Sequence, residues 1–151
     1  MSNQKTPYCP IALSIRYVGD KWTLLILRDL ILDKKTRFKE LKASKGNIAT
    51  NILTNRLKML LAEGFVEYLN PLGTKKSRQY IVTEKGLLTL PILFELYLFS
   101  VDSIDETAMN KEESAFKKEI LLDPIRLNEK KTKAYIDFVQ GLQKSITPPA
   151  V

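Results

Sequence analysis

Apolar residues recur along the chain with two different periods. From Pro10 to Val18, and again from 21 to 33, they follow helical spacing. Pro10 suits a first helical position, because its missing N–H would be unpaired there anyway. Gly19 ends the first helix, and Asp20 is placed to cap the second. Trp22, Leu25, Ile26 and Leu30 cover much of the second helix's circumference, which predicts a core helix. A polar turn over 33–36 follows. Thr36 then reads as the N-cap of a short third helix with Phe38 and Leu41 inward. In NIATNILTNRLKMLLAEGFVEY, residues 47–68, Leu53, Leu57, Leu60 and Leu61 form one stripe, and Gly64 stops the helix. The period then changes to two. Strands are predicted over 65–70 and 78–83, with Pro71 and Gly73 turning the chain between them. Thr83 caps a long apolar helix, and one or two more helices are expected over 103–146, interrupted at Asp123–Pro124.

Three short helices, a fourth, and a hairpin with a basic loop make a winged helix-turn-helix. The fold class expected is mainly α with a small β-hairpin wing and long C-terminal helices, to which the family resemblance given below assigns dimerisation. The chain divides into a DNA-binding domain over 8–105, a helical extension over 106–146, and a disordered tail over 147–151. The helix over 50–63 is then the one that enters a major groove. Thr50, Asn51, Thr54, Asn55 and Lys58 lie away from its leucine stripe, and no carboxylate shares that face. Asn suits adenine edges, and Thr can bond to a base or touch a thymine methyl. Arg56 is assigned to the same interface, with Glu63 or Glu67 as its alternative partner. Lys75, Lys76, Ser77 and Arg78 on the wing, with Arg37 and Lys39, are assigned to the sugar-phosphate backbone or minor groove. Each part has a plainer reading: a Thr/Asn face can be a solvated one, and a Lys-Lys tip a soluble turn.

Charge sharpens this picture. The formal net charge is +7, and residues 1–86 carry 16 Lys/Arg against 7 Asp/Glu, whereas 87–151 carry 8 against 10. A basic first half points to a polyanionic partner. The chain has no histidine and one cysteine, which removes the commonest general base and any Cys-x-x-Cys site. No enzyme motif, metal site or cofactor is expected. The longest apolar run, 87–101, contains Pro91 and Glu95 and is shorter than the ~20 residues a bilayer needs. With no apolar signal core at the start, the expectation is a cytoplasmic protein without a membrane partner.

Several motifs in order carry a family resemblance: Cys9–Pro10, Gly19-x-Lys21-Trp22, Arg37-Phe38-x-Glu40-Leu41, Leu53-Thr54-x-Arg56-Leu57, Gly64-Phe65-Val66 and Tyr80-x-Val82-Thr83-Glu84-x-Gly86. Over about residues 8–100 the chain resembles the HxlR-type, MarR-like winged helix-turn-helix regulators. The resemblance implies a homodimeric DNA-binding transcription factor, and the function expected is a repressor that binds an inverted-repeat operator in double-stranded DNA. It also implies a recognition helix over about 50–63, a wing over 71–77, and a dimer contact made by the first helix and the long helix after Thr83. The chain departs from the pattern at Ala49, where many members have Ser, so that Asn47 or Thr50 is left to cap the recognition helix. It also has Phe99 where a Trp is common. Cys9 stands at a helix start, where the dipole favours a thiolate, and some members sense oxidants or electrophiles through a cysteine at this place. The effector expected is an oxidant or a small molecule. The rival functions are a protein-interaction winged helix without DNA binding and a small-molecule-gated regulator.

Overall fold

A computed structural model of the chain describes residues 9–103 and 109–146. The expected tail over 147–151 lies outside them. The order is α1 (Pro10–Val18), α2 (Lys21–Ile31), α3 (Phe38–Lys42), α4 (Thr50–Ala62), β1 (Val66–Tyr68), β2 (Tyr80–Val82), α5 (Glu84–Leu87), α6 (Leu90–Ser103), α7 (Lys111–Leu122) and α8 (Pro124–Ile146). It is a winged helix-turn-helix followed by C-terminal helices.

Helix α2 runs through the middle. Asp20 caps it by accepting from the N–H groups of Trp22 and Thr23 at 3.0 and 3.1 Å. Leu27 and Leu30 are fully buried and pack in one cluster with Leu41, Leu53, Leu57, Leu60, Leu90 and Phe94. The cluster extends to Ile120, Leu127 and Tyr135, so α7 and α8 share the same core. Asp29 is a buried carboxylate near the end of α2. Arg28 Nη2 at 2.6 Å and Lys35 Nζ at 3.2 Å neutralise it. Lys35 N–H also donates to the Asp29 carbonyl, which closes the chain back on α2 before α3 begins.

Several boundaries differ from the sequence expectation. Helix α2 ends at Ile31 rather than 33. Arg37, not Thr36, is the N-cap residue of α3. The Glu40 carboxylate reaches back instead, accepting from the N–H groups of Thr36 at 2.9 Å and Arg37 at 2.8 Å. The Thr36 bond foremost, with Arg37, holds the Glu40 carboxyl below its usual value against partial desolvation. The Thr36 hydroxyl is free to donate to Gln79 Oε1 at 2.8 Å. Ala49 is the N-cap residue of α4 and provides no side-chain bond, so neither Asn47 nor Thr50 caps it. Asn47 instead takes a left-handed turn conformation, φ 51°.

At the other end of α4, Gly64 (φ 75°) closes the helix. Its N–H bonds to the Leu61 carbonyl, and Phe65 N–H bonds to that of Leu60. The antiparallel hairpin pairs Val66 with Val82, Glu67 with Ile81 and Tyr68 with Tyr80. Its strands are shorter than expected because the chain beyond turns on itself: Gly73 N–H bonds to the Asn70 carbonyl, and the N–H groups of Ser77 and Arg78 both bond to that of Thr74. The Thr83 side chain accepts from Gly86 N–H, as a cap should. The helix it starts is not continuous. Pro91 has no N–H to offer the Leu87 carbonyl, and the helix breaks at 88–89.

Counted through that break, the stretch 84–103 is long and apolar enough to cross a membrane, unlike the shorter run 87–101 taken alone. Leu90 and Phe94 are nevertheless buried in the shared core. Helix α7 lays Phe116 edge-on against Phe94 and Tyr97, with ring centroids 5.8 and 5.0 Å apart. Asp123 accepts from Arg126 N–H at 3.0 Å where α8 begins at Pro124.

Candidate nucleic-acid interface

Leu53, Leu57 and Leu60 anchor α4 in the core. This leaves Thr50, Asn51, Asn55 and Lys58 exposed on the opposite side, with Thr54 half-buried between them. The Thr54 hydroxyl donates to the Thr50 carbonyl at 2.8 Å, which leaves its oxygen able to accept. The α4 sequence contains no acidic residue. Because Ala49 brings no capping side chain, the first-turn N–H groups are open to an anion, which the helix dipole also favours.

Arg56 behaves differently. Its Nε lies 3.1 Å from Asp20 Oδ1. The approach is an ion pair without hydrogen-bond alignment, because Nε is shielded and has no hydrogen-bond partner. The partner is thus Asp20, neither Glu63 nor Glu67, and the pair ties α4 to the start of α2.

The wing and the start of α3 come together. Arg37, Phe38, Lys39, Lys75, Lys76, Arg78 and Tyr80 line one open cleft of about 590 Å³. It has five cationic side chains and no carboxylate. The Arg78 guanidinium lies 4.7 Å over the Tyr68 ring, and the Tyr68 and Tyr80 rings are 5.3 Å apart. Arg78 Nε is shielded and lacks a protein partner. Burial, then the neighbouring Tyr68, pushes the Tyr80 phenol above its usual value, so it stays a neutral donor. Ser77 is used internally: its hydroxyl bonds to the Thr74 carbonyl at 3.0 Å and to the Thr74 hydroxyl at 3.1 Å. Sequence reasoning named the five cations but not Phe38, Tyr68 or Tyr80 beside them. The alternation of the strands was the available signal, since it sets Tyr68 and Tyr80 on one face.

Cys9 is exposed and occupies the N-cap position of α1. The family model for HxlR-like helix-turn-helix proteins matches residues 17–108. The chain belongs to that family. HxlR-like proteins are transcriptional regulators, not enzymes, and DNA binding is what their helix-turn-helix does. The chain is 36% identical over 87 residues to the uncharacterized HTH-type transcriptional regulator BH0655 of Halalkalibacterium halodurans, a match that covers 58% of this chain and 77% of the relative. Two solved structures are similar. The redox regulator HypR in its oxidized form has a TM-score of 0.55 and 26% identity, covering 65% of this chain and 99% of HypR. The reduced transcriptional regulator YodB of B. subtilis has a TM-score of 0.52 and 27% identity, covering 68% and 100%. The HxlR-like match ends before α7 and α8, which are an addition of this chain to the matched segment.

Proposed function

We propose that the protein is a homodimeric, sequence-specific repressor that binds an inverted-repeat operator in double-stranded DNA, in the cytoplasm. The observation that carries this reading is the pairing of two acid-free surfaces: the Thr/Asn face of α4, and the five-cation cleft between α3 and the wing. The first has the donors and acceptors that base edges require; the second has the charge that phosphates require. Asn51 and Asn55 read bases, with Thr50, Thr54 and Lys58 beside them. Lys75, Lys76, Arg78, Arg37 and Lys39 hold the backbone. Arg56 orients α4 through Asp20, and Ser77 shapes the wing turn.

Dimerisation is supported by apolar side chains that a single chain leaves in water. Ile11 and Ile15 of α1 are exposed, as are Leu88 and Phe99. Ser14, Tyr17 and Val18 of α1 line the same cleft as Leu88 and Ile92, which makes α1 and the α5–α6 region neighbours on one face. Two recognition helices related by a two-fold axis then read half-sites about 34–36 Å apart, or a multiple of that distance.

Control by oxidants or electrophiles through Cys9 is the second part of this proposal. Its support is the exposed sulfur at the start of α1 and the description of HypR as a redox regulator. A single cysteine limits the product to an intersubunit disulfide or a mixed adduct. Diamide should lower operator affinity in the wild type and leave Cys9→Ser unaffected. Equal behaviour of the two would remove Cys9 from the mechanism.

The DNA reading is tested by anisotropy with a randomised duplex pool across a salt series, sequencing the bound fraction. An enriched inverted repeat and a steep salt slope are expected. Absence of binding at low salt would favour a winged helix that binds another protein.

A further inference from the structure

The two-stranded hairpin has an outer edge. Thr83 N–H bonds to the Phe65 carbonyl and Leu69 N–H to that of Gln79, so the odd-numbered residues make the cross-strand bonds. By the alternation of an antiparallel ladder, the N–H groups of Tyr80 and Val82 must point away from β1. Tyr80 N–H donates to the Thr36 carbonyl, just before α3, at 2.7 Å. Val82 N–H donates to the Tyr135 hydroxyl of α8 at 2.8 Å. A side chain 53 positions away thus takes the place of a third strand.

The contact is built rather than incidental. Tyr135 is 2% exposed, and Val82 is 6% exposed, so water does not replace the bond easily. Ile81, on the other face of the hairpin from Val82, is buried as well, and Ile136 and Val139 of α8 line one cleft with it. Phe138, whose ring centroid is 6.0 Å from that of Tyr135, also meets Lys34 Nζ at 5.9 Å in the turn between α2 and α3. Helix α8 therefore bears on both strips of chain that lead into the basic cleft: the turn before Arg37 and the strand after Arg78.

We propose that Tyr135 is a positioning residue for DNA binding, through which the C-terminal extension braces the wing against the α3 side of the cleft. This rests on the reading of the wing as a phosphate-binding element. Tyr135 touches no DNA; it fixes β2, the strand into which the wing loop carrying Lys75, Lys76 and Arg78 runs. The segment matched by the family ends at 108, so this brace belongs to what this chain adds beyond it.

The test compares the full-length wild type with Tyr135→Phe, each with and without Lys75→Ala/Lys76→Ala, on one duplex across a salt series. In the wild type the double lysine change should lower the slope of log K against log salt by about 2. Tyr135→Phe alone should lower it by about 1 to 2, and the lysine changes should then remove less than about 1 more. A slope unchanged by Tyr135→Phe, with the lysine changes keeping their full effect, overturns the brace while leaving DNA binding intact. Absence of salt-dependent binding by the wild type would instead defeat the DNA reading. Amide hydrogen exchange of the unmodified protein needs no variant. Val82 should be protected to the level of Leu27 and Leu30, and exchange as fast as that of Lys75 and Lys76 overturns the brace.

Discussion

Arg56 of α4 stands 3.1 Å from Asp20, the residue that caps α2. One carboxylate therefore serves two helices: it accepts from the first N–H groups of α2 and pairs with a cation on α4. The pair links the start of α2 to the helix that carries Asn51 and Asn55.

Asp20→Ala should accordingly cost more than Arg56→Ala. Loss of the cap alone is worth about 0.5–2 kcal/mol. The ion pair is partly exposed on both sides, so its own coupling should be about 0.2–1 kcal/mol. Urea unfolding of the two single variants and the double variant measures the coupling directly. A coupling of zero would make the pair a bystander.

Changes at the tip of the α4 face should act on specificity. Asn51→Ala and Asn55→Ala should each cost about 1–3 kcal/mol on the operator and little on random duplex. Titrations on both duplexes at one salt concentration check this. Equal losses on both would mean that the asparagines hold backbone and do not read bases.

The wing cations should behave in the opposite way. Lys75→Ala and Lys76→Ala should weaken operator and random DNA alike and lower the salt slope by about 1 each. Arg78 differs from them because its guanidinium is already stacked on Tyr68. Arg78→Lys keeps the charge but loses the planar stack, and it should fall short of wild-type affinity on both duplexes.

Tyr135 gives the fold an alkaline limit. Burial pushes its phenol up to about 12, although the bond from Val82 N–H works the other way. The folded phenol thus holds its proton more tightly than the unfolded one, whose value is near 10. The corresponding stability is complete below pH ~10 and is lost as the pH rises through about 12, on the order of 2–3 kcal/mol in all. Unfolding of wild type and Tyr135→Phe between pH 8 and 12 should show the steeper alkaline decline in the wild type, because lysine deprotonation affects both equally. Parallel curves would contradict it. At neutral pH, Tyr135→Phe should cost about 1–3 kcal/mol by leaving Val82 N–H unpaired.

Local chemistry is legible in the order of residues. Asp20 and Thr83 cap as their positions suggest, Gly64 closes α4, the helical pattern breaks at Asp123–Pro124, and the leucine stripe of α4 faces inward. Expectation and fold part where a nearby signal has a stronger competitor. Thr36 has the right residue type for an N-cap, but Glu40 satisfies the backbone there and Gln79 takes the hydroxyl. The apolar run after Thr83 reads as one helix, but Pro91 withholds one bond and divides it.

By itself, then, the sequence determined the order of elements, the inward faces of the helices and the acid-free, basic character of the first half. Those follow from interactions spanning one turn of helix or a few strand residues, so periodicity and capping residues report them. Only the tertiary structure decided that Arg56 faces Asp20, that Arg37 and Lys39 share a cleft with the wing, and that Tyr135 closes the edge of β2. These partners are separated by 36 to 53 positions. No local period encodes such pairs: they are set by how the helices pack around α2, and a buried N–H must take whichever oxygen that packing brings to it.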